Sequence, residues 1–292
     1  MERQQVAIIG AGRMGQGLAL ALSAAGAEVA LLSRRPHPLS PPLVLHPGPR
    51  ADAVRAAGLV LLATPDDAIP QVAAELAEER AVGPPQVVLH LSGLLDRRAL
   101  NALGTSGAGL GSFHTLQTIV EPSSAAERLA DCYAGIEGDA RALAAGRRLA
   151  ADLRMLPVAL ATERKAGYHA GAVFAANYTV ALAGIAERLA RGAGVPPDVA
   201  AQLYLPLMRG AVSNLELGPA AALTGPIRRG DVETIRAHLD ALDRTDRELY
   251  RSLGLVALRL AREAGLNAES ARRVERILTD EGDAETFPPN RP

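Results

Sequence analysis

The stretch that most constrains the fold is a short apolar run, residues 6–9, followed directly by Gly10-Ala11-Gly12-Arg13-Met14-Gly15. Four apolar residues in a row are typical of a central parallel strand that is buried on both faces. Residues 16–25 then predict a helix that ends at Gly26, and residues 28–32 predict a second strand. A Gly-x-Gly-x-x-Gly turn between a strand and a helix predicts a Rossmann dinucleotide-binding domain.

The residues of this turn have separate predicted roles. Gly10 permits the tight turn, Gly12 lets the backbone approach a pyrophosphate, and Gly15 lets the helix pack closely against the strand. Arg13 and Met14 lie at the start of the helix, whose free N–H groups and partial positive charge attract phosphate. We therefore predict that residues 10–15 bind the pyrophosphate of a dinucleotide. A glycine-rich turn without a ligand is the alternative.

The residues at the end of the second predicted strand determine whether the site prefers NAD or NADP. An Asp or Glu about 20 residues past the fingerprint would bind the ribose 2′-hydroxyl of NAD. Ser33, Arg34 and Arg35 stand there instead, and guanidinium groups can bind a 2′-phosphate through paired hydrogen bonds. We therefore predict NADP(H) as the cofactor. The alternative is that both arginines are solvated charges before a loop.

The ends of later strands are further candidate binding positions, because open parallel sheets bind ligands at the carboxyl ends of their strands. Apolar runs predict these strands at residues 59–63, 87–91 and 109–114. Thr64 and Pro65 follow the first strand, and Ser92 and Gly93 follow the second, where a nicotinamide ring is expected. His114 ends the third, either as a substrate contact or as a structural histidine.

Two carboxylates and a short apolar run have simpler interpretations. Asp66 and Asp67 are interpreted as caps of a helix that runs to about residue 80. Residues 43–45 are a possible short strand in a proline-rich stretch. Two more strands, at residues 132–137 and 154–160, flank a helix at residues 140–151.

The pattern changes after Ala161, where strand and helix stop alternating. The chain is therefore predicted to have two domains, an α/β doubly wound nucleotide-binding domain at residues 1–161 and an all-α domain at residues 162–292. Helical runs are predicted at residues 162–191, 198–216, 232–242, 246–264 and 268–278, with a frayed tail at residues 286–292.

Lys165 stands out because it is the only lysine among 31 basic residues. A lysine ammonium can be tuned by burial and can give up a proton, whereas arginine stays protonated. His169 lies four residues later on the same helical face. We predict that Lys165 is a general acid and that His169 orients the substrate or relays the proton. A chance lysine on a solvated helix end is the alternative.

Composition excludes several classes of function. A net charge of −1 and the scarcity of aromatic residues, with no Trp and three Phe, argue against nucleic-acid binding. Cys132 is the single cysteine, which excludes an intrachain disulfide or a cysteine metal site, and no metal is predicted. The sequence has no apparent leader and no unbroken apolar run of 18 residues, so a cytoplasmic protein without a membrane span is predicted.

Several segments together resemble bacterial oxidoreductases that join a Rossmann-like domain to a helical domain of unknown function. These segments are the fingerprint and residues 64–69, 90–93, 112–118, 165–170 and 223–227. The layout is similar to that of 6-phosphogluconate dehydrogenase-like enzymes, among them β-hydroxyacid dehydrogenases, ketopantoate reductase and pyrroline-5-carboxylate reductase. The all-helical second domains of these enzymes imply a homodimer.

The resemblance also implies roles for single residues. In β-hydroxyacid dehydrogenases and ketopantoate reductases a lysine that opens the first helix of the second domain is the general acid, and Lys165 matches it. An asparagine one turn later holds the substrate, but His169 stands there and the nearest asparagine is Asn177. Asn177 is a candidate substrate contact, and contact with a neighbouring helix is the alternative. A serine beside a glycine, as at Ser92 and Gly93, contacts a substrate carboxylate in those enzymes.

The reaction predicted from these features is reduction of a small 2-keto acid, similar to ketopantoate, by NADPH. Arg228 or Arg229, in a glycine-bounded loop, is a candidate to hold the substrate carboxylate, from this chain or from a partner subunit. The alternative is that at least one of them is a solvated arginine. One alternative is an imine reductase of the pyrroline-5-carboxylate type, which needs less proton donation. Another is an NADP-binding regulator that has no turnover.

Overall fold

The computed structural model describes residues 5–35 and 38–279 of the 292-residue chain. The predicted frayed tail lies outside the described residues. The chain divides into two compact units, Met1–Ala181 and Leu182–Pro292.

The first unit contains one seven-stranded sheet within the described residues, in the order β2-β1-β3-β4-β5-β6-β7. Its strands are β1 Gln5–Ile9, β2 Glu28–Leu32, β3 Leu59–Leu62, β4 Val87–His90, β5 Gly109–Thr115, β6 Tyr133–Gly138 and β7 Leu156–Ala159. All neighbouring strands are parallel except β5 and β6, which are antiparallel. The predicted doubly wound α/β sheet is confirmed.

Helices cover both faces of this sheet and enclose two separate apolar cores. They are α1 Arg13–Ala24, α2 Arg50–Ala56, α3 Ile69–Glu78, α4 Ala125–Leu129 and α5 Ala140–Asp152. Beyond β7 the chain continues with α6 Lys165–Ala175 and α7 Asn177–Gly192. Leu18 of α1 packs with Leu61 and Phe113 in one core. Val72 of α3 packs with Val60 in the other. Alternate residues of β3 thus face opposite cores, which explains why that strand is apolar throughout.

The possible strand at residues 43–45 is absent from the described sheet, so that prediction was wrong. Pro41, Pro42 and Pro47 flank the run, and proline lacks the N–H group that a strand ladder needs. The cap assignment of Asp66 and Asp67 was also wrong. They lie in a short 3-10 helix, Asp66–Ala68, and α3 begins at Ile69 without a side-chain cap.

Two predicted long helices are interrupted. The run at residues 162–191 begins with a 3-10 turn, Thr162–Arg164, and is divided at Ala176 into α6 and α7. The run at residues 198–216 is divided at Tyr204 into α8 Pro197–Leu203 and α9 Leu205–Asn214. Pro206 lies in the first turn of α9, and a proline fits there because the first N–H groups of a helix have no partner inside the helix.

The described part of the second unit is helical. After α8 and α9 come α10 Pro219–Ala222, α11 Pro226–Arg229, α12 Val232–Ala241, α13 Arg244–Glu263 and α14 Ala268–Thr279. Ile227, Ile235, Leu258 and Val274 form its core. The predicted change from α/β to helical structure is therefore present. The predicted boundary after Ala161 follows the end of β7 by two residues and stays a prediction.

The run Thr162–Gly192 is long and apolar enough to cross a membrane, by length and composition alone. None of its most apolar 18-residue window is buried within the protein. A single helix of this kind is weak evidence for a span, and the prediction of no membrane span stays a prediction.

Candidate active site

The fingerprint turn has the packing that the glycine pattern predicts. A Cβ at Gly10 would collide with the carbonyl oxygen of Ala63, and a Cβ at Gly15 would collide with that of Gly10. A Cβ at Gly12 would meet no described atom within 4 Å. The backbone is therefore tightly packed at Gly10 and Gly15 and open at Gly12, where a phosphate would approach.

The start of α1 fits a phosphate electrostatically. The helix begins at Arg13, and its first turn, which includes Met14 and Gly15, contains no acidic residue. Its free N–H groups and partial positive charge would attract an anion. These residues fit the pyrophosphate of NADP(H).

Ser33, Arg34 and Arg35 stand at the end of β2. The hydroxyl of Ser33 donates to the carbonyl of Arg35 at 2.8 Å and accepts from its N–H group at 3.3 Å, which holds a compact turn. Arg34 donates to the carboxylate of Glu75 at 3.3 Å. Arg34 and Arg35 are both exposed. Two accessible guanidiniums beside a hydroxyl suit the 2′-phosphate of NADP(H), and this role stays a prediction.

Gln16 links the fingerprint helix to the segment after β2. Its buried amide nitrogen donates to the carbonyls of Ala11 at 2.7 Å and Pro38 at 3.0 Å, and its oxygen accepts from the N–H group of Ser40 at 2.8 Å. Sequence reasoning missed this residue. The available signal was one amide side chain on an otherwise apolar helix face.

Two adjoining cavities lie at the carboxyl ends of the strands. The first, of about 260 Å³, is bounded by Met14 of the fingerprint and by Thr64 and Ser92 of the turns after β3 and β4. The second, of about 340 Å³, is bounded by His169 and Asn177. His114, Thr115 and Gln117 line both cavities. The structure thus brings together predicted cofactor residues and predicted substrate residues on either side of one shared wall.

Thr64 and Pro65 differ in their contacts. The Thr64 hydroxyl is buried and has no hydrogen-bond partner in the described part of the chain, and Thr64 lines the first cavity. A buried hydroxyl without a partner is costly, and a ligand group can satisfy it. Pro65 is exposed and immediately precedes the 3-10 helix at Asp66.

The Ser92 hydroxyl is already engaged by the protein. It donates to the carboxylate of Asp66 at 2.7 Å and accepts from the N–H groups of Leu94 at 3.1 Å and Leu95 at 2.9 Å. These bonds fix the turn after β4. Contact between this hydroxyl and a substrate carboxylate stays a prediction, and it would require Ser92 to give up at least one of these partners.

Lys165 is buried, with 1% of its surface exposed, and it lines neither cavity. Its ammonium donates to the hydroxyl of Ser112 at 2.6 Å and to the carbonyl of Ser92 at 3.2 Å. Burial lowers the pKa of Lys165 to about 8, although the carboxylates of Glu137, Asp96 and Asp66 act in the opposite direction. The ammonium therefore lies close to its titration point at neutral pH.

Glu137 of β6 is the buried counter-charge of this lysine. Its carboxylate accepts hydrogen bonds from the hydroxyl of Ser112 at 3.3 Å, the hydroxyl of Thr162 at 3.0 Å and the N–H group of Arg97 at 3.0 Å. Sequence reasoning missed Glu137 and Ser112. They lie in separate strands, and only the antiparallel pairing of β5 and β6 places Ser112 opposite Glu137.

His114, Tyr168 and His169 form a row of rings at the shared wall. The Tyr168 hydroxyl lies 3.1 Å from Nδ1 of His114. The ring of His114 lies edge to face with both neighbours, each at a centroid distance of 5.6 Å. Burial, the charge of His169 and the charge of Lys165 lower the pKa of His114 to about 4. Sequence reasoning found both histidines and missed Tyr168, which shares a helical face with Lys165.

Arg228 belongs to the second unit and is not among the residues that line the two cavities. Its guanidinium donates to the carbonyl of Ala264 at 2.7 Å, at the end of α13. It also borders a polar cavity of about 670 Å³ together with Arg229 and Asn267. Its role in binding a carboxylate stays a prediction.

Two families match parts of this chain. The family described as NADP oxidoreductase coenzyme F420-dependent matches residues 5–88, and the domain of unknown function DUF2520 matches residues 132–274. Over these two ranges the chain is similar to an NADP-oxidoreductase domain followed by a DUF2520 domain. The predicted resemblance is confirmed, and so are the oxidoreductase class and the NADP(H) cofactor. No curated protein matches the chain in sequence.

Solved structures share the fold over most of the chain. Protein TM1727 of Thermotoga maritima is 22% identical, with a TM-score of 0.66 over 88% of this chain and 98% of its own. A pyrroline carboxylate reductase of Plasmodium falciparum with NADP bound is 11% identical, with a TM-score of 0.60 over 96% and 100%. An imine reductase of Myxococcus stipitatus in complex with NADP+ is 18% identical, with a TM-score of 0.56 over 89% and 93%.

Proposed function

We propose that this oxidoreductase reduces the carbonyl group of a small 2-keto acid, with NADPH as the hydride donor. The observation that supports the proposal is the pair of adjoining cavities, one beside Met14 and Thr64 and the other beside His169 and Asn177. A reductase must hold its cofactor next to its substrate. The two cavities meet this requirement because they share the wall formed by His114, Thr115 and Gln117.

Lys165 is the proposed acid of this reaction. Its lowered pKa allows proton release near neutral pH, and its charge favours the negative charge that develops on the carbonyl oxygen. Delivery of the proton requires the ammonium to exchange Ser112 or Ser92 for the substrate. His169 and Asn177 are proposed to orient the substrate from α6 and α7.

The test is a panel of 2-keto acids and cyclic imines, with oxidation of NADPH and of NADH followed by absorbance. We expect turnover of at least one keto acid with NADPH preferred. Tight NADPH binding without oxidation across the panel would instead indicate a non-catalytic NADP-binding regulator. A clear preference for NADH would contradict the assignment of Ser33, Arg34 and Arg35.

The acid role has its own test in Lys165→Arg, which keeps a positive charge but cannot readily give up a proton. We expect turnover of the keto acid to fall about 10²–10⁴-fold. Melting temperatures of this variant and of Lys165→Met show whether each has folded. Turnover of a folded Lys165→Arg variant close to wild type would remove the acid role and leave the reductase proposal intact.

Imine reduction is the second candidate, and the lining of the cavity beside α6 favours it. Within the described part of the chain, that lining contains no arginine, lysine or carboxylate. A keto acid therefore needs a cation from outside this lining, whereas a simple imine does not. Retention of most activity on cyclic imines in Lys165→Met, with loss of activity on keto acids, would favour the imine.

We also propose that the protein is a cytoplasmic homodimer that associates through its second unit. Large apolar side chains are exposed there, among them Leu207 at 69% and Leu217 at 72%, and a large exposed apolar surface commonly marks an interface. Light scattering should give twice the monomer mass, and Leu207→Glu should lower it. A monomeric wild type would contradict this proposal.

A further inference from the structure

The polar cavity of about 670 Å³ beside Arg228 lies entirely within the second unit. One wall comes from α10, α11 and the loop that joins them, and the other comes from the turn between α13 and α14. Its polar side chains are those of Thr224, Arg228, Arg229 and Asn267. Within the described part of the chain no carboxylate lines it, so the lining carries positive charge alone.

The two guanidinium groups keep this charge. Neither Arg228 nor Arg229 forms an ion pair with another described residue. The nearby acid of the loop is Asp231, whose pKa is lowered first by hydrogen bonds from Thr234 and to a smaller extent by the charge of Arg229. Both oxygens of Asp231 accept from Thr234, at 3.2 Å and 2.7 Å. The carboxylate of Asp231 is thus committed to capping α12.

Arg228 is held in place before any ligand arrives. Its guanidinium donates to the carbonyl of Ala264 at 2.7 Å, at the end of α13, and a cation is favoured at the end of a helix. Its neighbour Ile227 is buried in the core of the second unit, together with Leu258. A guanidinium has five N–H donors in one plane. One contact therefore orients the group and leaves further donors for a ligand.

The opposite wall adds an amide and open backbone. The side-chain oxygen of Asn267 accepts from the N–H group of Ser270 at 2.9 Å, so its NH₂ group is the end that remains to donate. A Cβ at Gly225 or at Gly265 would meet no described atom within 4 Å. The backbone of each wall therefore borders open space where a ligand can approach.

We propose that this cavity binds an oxyanion, a carboxylate or phosphate group, with Arg228 and Arg229 holding its charge and Asn267 and Thr224 donating hydrogen bonds to it. Guanidinium groups bind both kinds of oxyanion through paired hydrogen bonds. The anion belongs either to the substrate or to a separate metabolite, and the chemistry of recognition is the same. The inference goes beyond the proposed reductase function and does not depend on it.

The first test uses inorganic phosphate and acetate as probes. Each is titrated calorimetrically into the full chain saturated with NADP+, so that the cofactor site does not contribute. We expect saturable binding of phosphate, and Arg228→Gln and Arg229→Gln should each raise its Kd about 10-fold or more. Arg229→Gln is the decisive variant because Arg229 is exposed, whereas Arg228→Gln also removes the contact with Ala264 and needs a melting temperature to show that it has folded.

Arg236→Gln is the matched control, because it removes another exposed arginine of the second unit, one that is paired with Glu233. It should leave the Kd for phosphate within about 2-fold, as expected for an exposed ion pair remote from the ligand. Absence of saturable phosphate binding in the wild type, or equal binding by the wild type and Arg229→Gln, would overturn the inference.

The second test identifies the source of the anion with the substrate that the panel finds. If Arg229→Gln loses phosphate binding and also raises KM for an anionic substrate, the substrate carries the group. If it loses phosphate binding and KM is unchanged, a separate anion is the ligand. Both results support the site. If no compound in the panel is reduced, the proposed function fails, and the phosphate titration still decides this inference.

Discussion

The ammonium of Lys165 donates to the hydroxyl of Ser112 at 2.6 Å, and that hydroxyl donates in turn to the carboxylate of Glu137 at 3.3 Å. A serine thus lies between two buried opposite charges. Burial of charged groups costs free energy, and contacts such as these offset that cost only in part. A stabilising role alone is therefore a weak explanation for these two buried charges. It places a titratable cation directly behind the wall shared by the two cavities.

The first prediction concerns the titration of this lysine. Because Lys165 is the only lysine, ¹³C-lysine labelling gives a single side-chain resonance, and we expect its midpoint near pH 8. Glu137→Gln should lower the midpoint further, because the Glu137 charge raises it. Asp52→Asn, at a surface ion pair with Arg55, should have no effect. A midpoint near 10.5 would contradict the burial of this ammonium.

The second prediction contrasts two glycines of the fingerprint. Gly12→Ala should leave the melting temperature nearly unchanged, because its Cβ meets no described atom within 4 Å. It should weaken NADPH binding about 10–100-fold, the cost of roughly one charge-assisted hydrogen bond. Gly15→Ala should lower stability by about 1–3 kcal/mol, because its Cβ meets the Gly10 carbonyl. Equal melting temperatures for the two variants would be inconsistent with this packing.

The third prediction concerns selection of the nucleotide. Arg34→Ala and Arg35→Ala should each raise the Kd for NADPH about 10-fold or more and leave the Kd for NADH within about 2-fold. Fluorescence titration of the reduced nicotinamide measures both constants. Arg55→Ala removes another exposed arginine of this unit and is the control. If the Kd values for both nucleotides rise equally, the two arginines do not bind the 2′-phosphate.

The fourth prediction concerns stability in acid. Burial and the charge of Lys165 lower the pKa of His90 to about 4, as burial and neighbouring charges do for His114, from an ordinary value of 6.5. The unfolded chain therefore binds more protons than the folded chain between these values, and the free energy of unfolding falls as pH drops from about 6.5 to about 4. Urea unfolding at a series of pH values measures this loss.

His90→Gln should reduce the loss of stability in acid, and His238→Gln in the second unit is the comparison. His90→Gln itself removes the contact between Nε2 and the Asp96 carbonyl at 3.1 Å, so the relevant quantity is the slope with pH and not the absolute stability. A wild type equally stable at pH 7 and pH 4.5 would contradict the lowered pKa of these histidines in the folded chain.

The parts that could be predicted from the sequence are those with a local pattern. The fingerprint at Gly10, Gly12 and Gly15 is contiguous, and it identified the Rossmann domain and the cofactor class, while the position of the cofactor stays a prediction. Strands such as β3 were found because both faces are buried, which makes the run apolar throughout. The rarity of lysine drew attention to Lys165 without any knowledge of its neighbours.

The parts that could not be predicted depend on contacts between distant residues. Glu137 and Ser112 are 25 residues apart and meet through strand pairing, and Asp66 reaches Ser92 across 26 residues. The break between α6 and α7 at Ala176 could not be predicted, because no glycine or proline lies beside it in the sequence. Burial of Lys165 was also invisible in the sequence, because its neighbours on α6 do not show which face meets the sheet.

The burial of the sole lysine makes it a chemical reporter. Amine-directed acylating reagents modify ε-amino groups only when these are accessible and unprotonated, and here the single ε-amino group lies against Ser92 and Ser112. Acylation of Lys165 therefore requires the first turn of α6 to separate from the sheet. The rate of that labelling, read by mass spectrometry, would measure how often this helix opens.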